Sequence, residues 1–417
     1  MEKIKKILLS STIKDTFISF TGLGITAVIG FVYTIVLARM LGPETFGVFS
    51  AITALIAIIY SLGDFGISSA LINFIPKLKG KRQILINTGF WFEFIIGFFA
   101  LIIFGIFSIF HTIVIPSSLA EQILLGGIIA FNYILISYAQ SIFTAERKFI
   151  TYSLSQIIDA GIKIIIVIIL LSTSKLSIST ALLANIISSL FALLITFGRE
   201  LFTIKWQFEK SIIGKMFHYA KWLAVSKLFS VFIARIDVIL LNLMMGSFQA
   251  GIYAAASRIT LIFSLILSSL GSVINPRFSS FDTKKKIWKY MQKLFFLIGS
   301  ICIAMTIIVL FAKPIINIVF GDKYIAAIPV FQALTIAIIP FMFTLITIPA
   351  LTYSFNLPSF VAKLTIIQVI VIIITDIVLI PITGAYAPAI ALGLGNLIIL
   401  IASALKLRFL FLHHELP

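Results

Sequence analysis

The sequence predicts an all-α integral membrane protein of about twelve transmembrane helices, built as two six-helix halves in parallel repeat. Three observations lead there. Of 417 residues, 60% are hydrophobic and only 11% are charged, with mean hydropathy +1.17; a soluble domain runs at about 45–50% apolar and about 25% charged. Apolar stretches long enough to cross a bilayer, about 20 residues each, recur along the whole chain between short polar connections. A glycine-bearing turn after the first stretch returns after the seventh. A water-soluble globule of this size could not hide so much apolar surface. Soluble enzymes, nucleic-acid binders and disulfide scaffolds are therefore set aside.

The first half reads as spans near 15–38, 46–75, 86–110, 120–143, 150–171 and 178–198. Gly22, Gly24 and Gly30 loosen the first, and Gly63-Asp64-Phe65-Gly66 interrupts the second. Glu93 lies in the third span. Asn132, Tyr133 and Gln140 give the fourth the means to hydrogen-bond neighbouring helices. Asp159 and Lys163 share a face of the fifth. The second half reads as spans near 217–244, 249–275, 291–311, 325–354, 360–380 and 386–410. The seventh holds Lys227, Arg235 and Asp237, and the eighth holds Arg258. Pro329, Pro340 and Pro349 can bend the tenth, and Asp376 lies in the eleventh. The runs are continuous rather than alternating, which excludes a transmembrane barrel. Each span must satisfy its own backbone and is therefore a helix. The halves divide at 1–210 and 211–417, and the longest polar connections, near 199–216 and 276–290, read as linkers.

At the start, Lys3, Lys5 and Lys6 precede only Ile7-Leu8-Leu9, too short a run for a signal peptide; a cytoplasmic or interfacial tail is the expectation. The net charge of +17 sorts by loop. Lys77, Lys79, Lys81 and Arg82 follow the second span, and Arg147 and Lys148 follow the fourth. Arg199, Lys205, Lys210, Lys215 and Lys221 surround the link between halves. Arg277, Lys284, Lys285, Lys286, Lys289 and Lys293 follow the eighth span; Lys363, Lys406 and Arg408 complete the set. The opposite side carries only Arg39, Lys175, Lys313 and Lys323. This bias places both termini in the cytoplasm and removes the need for a nucleic-acid partner. Cys302 is the single cysteine, and the four histidines (His111, His218, His413 and His414) show no metal-binding spacing. No metal or cofactor is expected, and no Walker A motif is present to bind ATP.

The repeat is carried by Leu41-Gly42-Pro43-Glu44-Thr45-Phe46-Gly47 and Met245-Gly246-Ser247-Phe248-Gln249-Ala250-Gly251, whose glycines share a spacing. An even number of spans per half keeps both copies in one orientation, as in transporters related by an axis along the membrane normal. Ionisable groups at membrane depth are costly and mark pathways by default. Arg235 and Arg258 each sit about ten residues from an outer end, roughly 15 Å deep. Two guanidiniums at one depth suit a phosphate; a structural clasp with Asp237 stands equally. Asp159 and Lys163 can neutralise one another as an i,i+4 pair. Asp64 can take a proton, balance a cation or cap a kink, and Glu93 and Asp376 are candidates for proton or sodium coupling.

Three stretches resemble the polysaccharide-transport branch of the multidrug/oligosaccharidyl-lipid/polysaccharide flippase superfamily. One is Ala38-Arg39-Met40-Leu41-Gly42-Pro43-Glu44-Thr45-Phe46-Gly47 with Leu62-Gly63-Asp64-Phe65-Gly66-Ile67. A second runs from Ile236-Asp237-Val238 through Gly246 and Gly251-Ile252-Tyr253 to Ala256-Ser257-Arg258. The third is Phe320-Gly321-Asp322-Lys323-Tyr324-Ile325-Ala326-Ala327. The resemblance implies two bundles in a V around a central cavity. It implies transfer of an undecaprenyl-diphosphate-linked oligosaccharide, such as an O-antigen unit, to the outer leaflet. It further implies cations for the diphosphate, a role open to Arg235, Arg258, Lys227 and Lys163. Asp64, Asp237, Glu93 and Asp159 are then the acidic candidates for coupling to H+ or Na+. Partners implied are the lipid-linked substrate, membrane lipids and glycan polymerase or ligase machinery, with a monomer as the default. A cation-coupled drug or metabolite exporter is an alternative. A membrane glycan polymerase would need a long outer loop that the sequence lacks.

Overall fold

The computed structural model describes residues 11–116, 118–198, 203–281 and 283–413, without the side chains at 11–17, 79, 222, 223, 225, 226, 228, 265, 268 and 272. Lys3, Lys5, Lys6, Arg199 and His414 lie outside the described residues, as do the side chains of Lys14 and Lys79.

The helices follow the apolar stretches. In order they are α1 (Ser11–Gly63), α2 (Ile67–Lys77), α3 (Arg82–Ile109), α4 (Ala120–Ala145), α5 (Phe149–Ser172) and α6 (Ile178–Phe197). They continue as α7 (Lys210–Met245), α8 (Ser247–Ser279), α9 (Lys284–Leu310), α10 (Ala312–Phe320), α11 (Ala327–Pro349), α12 (Pro358–Thr383) and α13 (Ala387–His413). Among the described residues, nine helical stretches are long and apolar enough to cross a membrane. Two of them, Ile18–Gly63 with 46 residues and Pro358–His413 with 56, have the length for two passes each. With the 36-residue α7, the helices correspond to the twelve predicted stretches.

Chain contacts divide the molecule into two compact units, Met1–Ile239 and Leu240–Pro417. In the first, α4 is central and packs against α1, α2, α3 and α6. In the second, α11 is central and packs against α8, α9 and α13. Each central helix holds the fourth span of its predicted half. In lipid the burial rule turns on packing, so small and polar residues gather inside. Accordingly 67% of the spanning part of α4 is buried, against 17% of α5. Gly97 faces the Phe131 ring, and Gly126 and Gly127 face Phe104, with too little room for another carbon.

The turn glycines behave alike. Gly42 has φ 77 and ψ 168, and Gly246 has φ 84 and ψ 171. Gly321, at the third motif, has φ 83 and ψ 178. This region is accessible essentially to glycine alone. Each glycine breaks the helical run, and Pro43 then starts the next helical segment at a position where its missing N–H costs nothing.

Several local expectations change. Gly22 does not loosen the first span: a Cβ there would lie 2.3 Å from the Ser153 hydroxyl, so it permits close approach of α1 to α5. Gly24 and Gly30 face open space. Pro329 sits in the first turn of α11, where a missing N–H breaks no bond. Pro340 lies mid-helix, and after Pro349 the chain widens into a π turn, Ala350–Ser354. The connection near 276–290 is not a linker, since α8 runs to Ser279 and α9 starts at Lys284.

In the other predicted linker the described part, 203–216, is also structured, and α7 begins at Lys210, earlier than predicted. The segment 203–209 is tied to one face of α3. Trp91 donates to the Lys205 carbonyl (3.0 Å) and Gln83 donates to the Thr203 carbonyl (3.0 Å). Asn87 donates to Gln207 (3.1 Å) while accepting from the Lys205 N–H (3.3 Å). Polar residues at 83, 87 and 91 lie one turn apart and form this stripe.

Candidate functional site

The interruption of the second span is a built turn. Phe65 and Gly66 adopt left-handed backbone, φ 39 and φ 78. Gly66 is required by space as well as by φ: a Cβ there would meet the Ala220 carbonyl oxygen at 2.8 Å and the Ala220 methyl at 2.7 Å. Helix α7 therefore docks directly on the turn. Asp64 opens α2 by accepting from the Ser68 N–H at 3.0 Å, as a helix-start carboxylate should. Its second oxygen accepts from Lys227 Nζ at 2.8 Å. The Asp64 side chain is 2% exposed, that of Lys227 40%. Phe65 packs edge-on against Phe92 at 6.5 Å. The neighbouring Glu93 is buried, and among the described residues neither of its oxygens has a hydrogen-bond partner. It lies within electrostatic reach of Asp64 and Lys227. The turn after α1 and the helices α3 and α7 thus bring two acids and one base into one neighbourhood.

A second cluster joins α1, α4, α5 and α6. Lys163 and Asp159 form an ion pair at 3.1 Å. Lys163 also donates to the Tyr133 hydroxyl at 2.8 Å, and its ammonium lies over the Tyr33 and Tyr133 rings at 5.8 and 5.6 Å. Tyr133 donates to Asp159 at 3.2 Å, and Ser188 donates to the other Asp159 oxygen at 2.8 Å. Asn185 donates to the Tyr33 hydroxyl at 2.7 Å. The polar residues of α4 form the bridges expected of them: Asn132 donates to Ser189 (2.8 Å) and Gln140 donates to Ser155 (3.2 Å).

Arg235 and Asp237 are half-buried on α7 in the first unit, and Arg258 is half-buried on α8 in the second. Arg39 is exposed beside the Gly42 turn. Asp376 is fully buried in the second unit. Sequence reasoning did not single out Tyr33, Asn185 or Ser188. Their signal was present, since Asn185 and Ser188 are polar residues three apart in an apolar span. Nor did it join Asp64 to Glu93 and Lys227. Among the described residues no group of three His, Cys, Asp or Glu is placed to hold a metal.

Ion pairs held within long apolar helices, and a central fourth helix in each unit, define a multi-pass membrane protein. The chain belongs to the polysaccharide biosynthesis protein family, whose model matches residues 36–329. It is 24% identical over 355 residues to a Shigella flexneri protein named "Putative O-antigen transporter", covering 80% of this chain and 82% of that one. Its fold is similar to the lipid II flippase MurJ in an inward closed conformation, with TM-score 0.76 at 15% identity over 94% of this chain and 87% of that one. An inward-facing multidrug resistance MATE transporter gives TM-score 0.72 at 14% identity, covering 94% and 97%.

Proposed function

We propose that the protein is a flippase that carries an undecaprenyl-diphosphate-linked oligosaccharide, of the O-antigen or a similar surface-glycan type, from the cytoplasmic to the outer leaflet. The family match across residues 36–329 carries this reading, and the fold shared with a lipid II flippase supports it. Transport proceeds by alternating access of two six-helix halves, 1–210 and 211–417. Bends at the glycine turns and at Pro340 and Pro349 absorb the motion. No covalent bond is made, so the protein is a transporter and not an enzyme. It sits in the inner membrane with both termini cytoplasmic, acts as a monomer and hands its cargo to polymerase or ligase machinery.

Lys227, Arg235 and Arg258 supply the diphosphate contacts in this reading, and Asp64, Asp237 and Glu93 balance them. Lys163 is enclosed by Asp159 and two phenol rings, with a side chain only 13% exposed. That enclosure favours a role in holding α1, α4, α5 and α6 in register beside the sugar path.

Complementation tests the reading. The gene, expressed with its matching glycan genes in a flippase-deficient host, restores surface glycan. Arg235→Ala with Arg258→Ala reduces that rescue at least ten-fold at equal membrane levels. Absence of rescue by the intact protein, or full rescue by the double variant, overturns the substrate or the diphosphate contact respectively.

A further inference from the structure

Glu93 is 1% exposed, and among the described residues both its oxygens are unpartnered; an isolated charge in such a place is expensive. It shares its surroundings with a lopsided ion pair. Asp64 is sealed in the turn, fixed by the Ser68 N–H and closed over by the docking of Ala220 on Gly66. Lys227 carries a long flexible stem and is 40% exposed, so its ammonium can leave for an anion at the edge of the site. Asp64 cannot follow. Once Lys227 leaves, the Asp64 carboxylate remains in a buried place without a cation, beside a second buried acid that cannot offset its charge, and a proton taken up there neutralises it.

We propose that Asp64, Glu93 and Lys227 form a proton-exchange site, in which an anionic diphosphate draws Lys227 off Asp64 and the carboxyl pair takes up one proton in its place. The identity of the anion rests on the diphosphate reading above. The balance closes: one positive charge leaves the site on Lys227, one enters as a proton from water, and no covalent bond changes. Among the described residues, the charged groups that act on Glu93 are Asp64 and Lys227. The phenols of α4 are occupied elsewhere, Tyr133 with Asp159 and Lys163, and Tyr138 with the Ile86 carbonyl. On α5, Asp159 and Lys163 neutralise one another.

Two measurements on the purified full-length protein test this. The first needs no ligand. Lys227→Met removes the cation permanently, so the infrared spectrum at neutral pH gains one protonated-carboxyl band relative to wild type. Asp64→Asn added to that variant removes the band, and Lys227→Arg, which keeps the cation, never shows it. A Lys227→Met spectrum in the carboxyl region identical to wild type overturns the site.

The second measurement adds farnesyl diphosphate to protein in weakly buffered, mildly alkaline detergent solution with a pH-sensitive dye. Wild type takes up about one proton per probe bound, and Asp64→Asn binds the probe with no uptake. Inorganic pyrophosphate in a parallel arm separates a headgroup effect from a lipid effect. Probe binding without proton exchange overturns the proposal. An infrared band with no binding of either diphosphate overturns diphosphate as the trigger, and with it the diphosphate contacts proposed above.

Discussion

At the residue scale the charges divide by what surrounds them. Asp159 and Lys163 are four residues apart on one helix, and their pairing follows from helix geometry. Asp64 and Lys227 are far apart in sequence and meet because Gly66 lets α7 approach. Outside the membrane the clearest case is Glu146, at the end of α4. Burial pushes its carboxyl pKa up, but hydrogen bonds and charge from Arg82 and Lys148 outweigh burial and leave it below the ordinary glutamate value. A depressed carboxyl stabilises the fold above its unfolded pKa, near 4.3, and loses that contribution as pH falls through the lower folded value. Glu146→Gln therefore lowers thermal stability at neutral pH by about 0.5–1 kcal/mol, since Arg82 and Lys148 are 35% and 48% exposed. The gap between the melting curves of variant and wild type should close under acid conditions.

At the element scale the turns decide where helices stop. Gly42 and Gly246 hold a backbone conformation that a side chain disfavours by about 1–3 kcal/mol. Gly42→Ala and Gly246→Ala should each lower the melting temperature in detergent. Gly24→Ala is the control: it lies in a helix facing open space, and the better helix former should be neutral or stabilising by up to about 1 kcal/mol. Gly22→Val separates close packing from flexibility. If Gly22 exists for contact with Ser153, the valine destabilises by about 1–3 kcal/mol. If it merely loosened α1, the valine would do little.

At the scale of the whole molecule, the loop charges make a topological prediction. Cysteines introduced at Lys81, Lys148 and Lys285 should react with a membrane-impermeant thiol reagent only after the cytoplasmic side is opened. Cysteines at Lys175 and Lys323 should react in intact cells. Cys302 is the sole native cysteine and is buried, so background labelling is low. Reversal of this pattern overturns the orientation drawn from the basic loops. The same experiment reports on α7, whose Lys210 and Lys215 should label from the cytoplasmic side.

The sequence by itself determined the class, the span positions and the repeat. These follow from composition and from signals confined to one or two turns of chain, which lipid amplifies because each span must be apolar and self-satisfied. Asp64 was legible as an anomaly, and Asp159 with Lys163 as a pair, because burying charge is costly at any position. Tertiary structure alone decided that Asp64 belongs to Lys227, that Glu93 is buried beside them, and that Lys163 is walled in by Tyr33 and Tyr133. It also turned Gly22 from a source of flexibility into a packing contact, tied 203–209 to α3, and carried α8 and α9 into the supposed linker at 276–290. The reason is one of range. A partner tens of residues away is selected by how helices pack, and packing depends on small surfaces such as Gly66 against Ala220, which composition and periodicity do not encode.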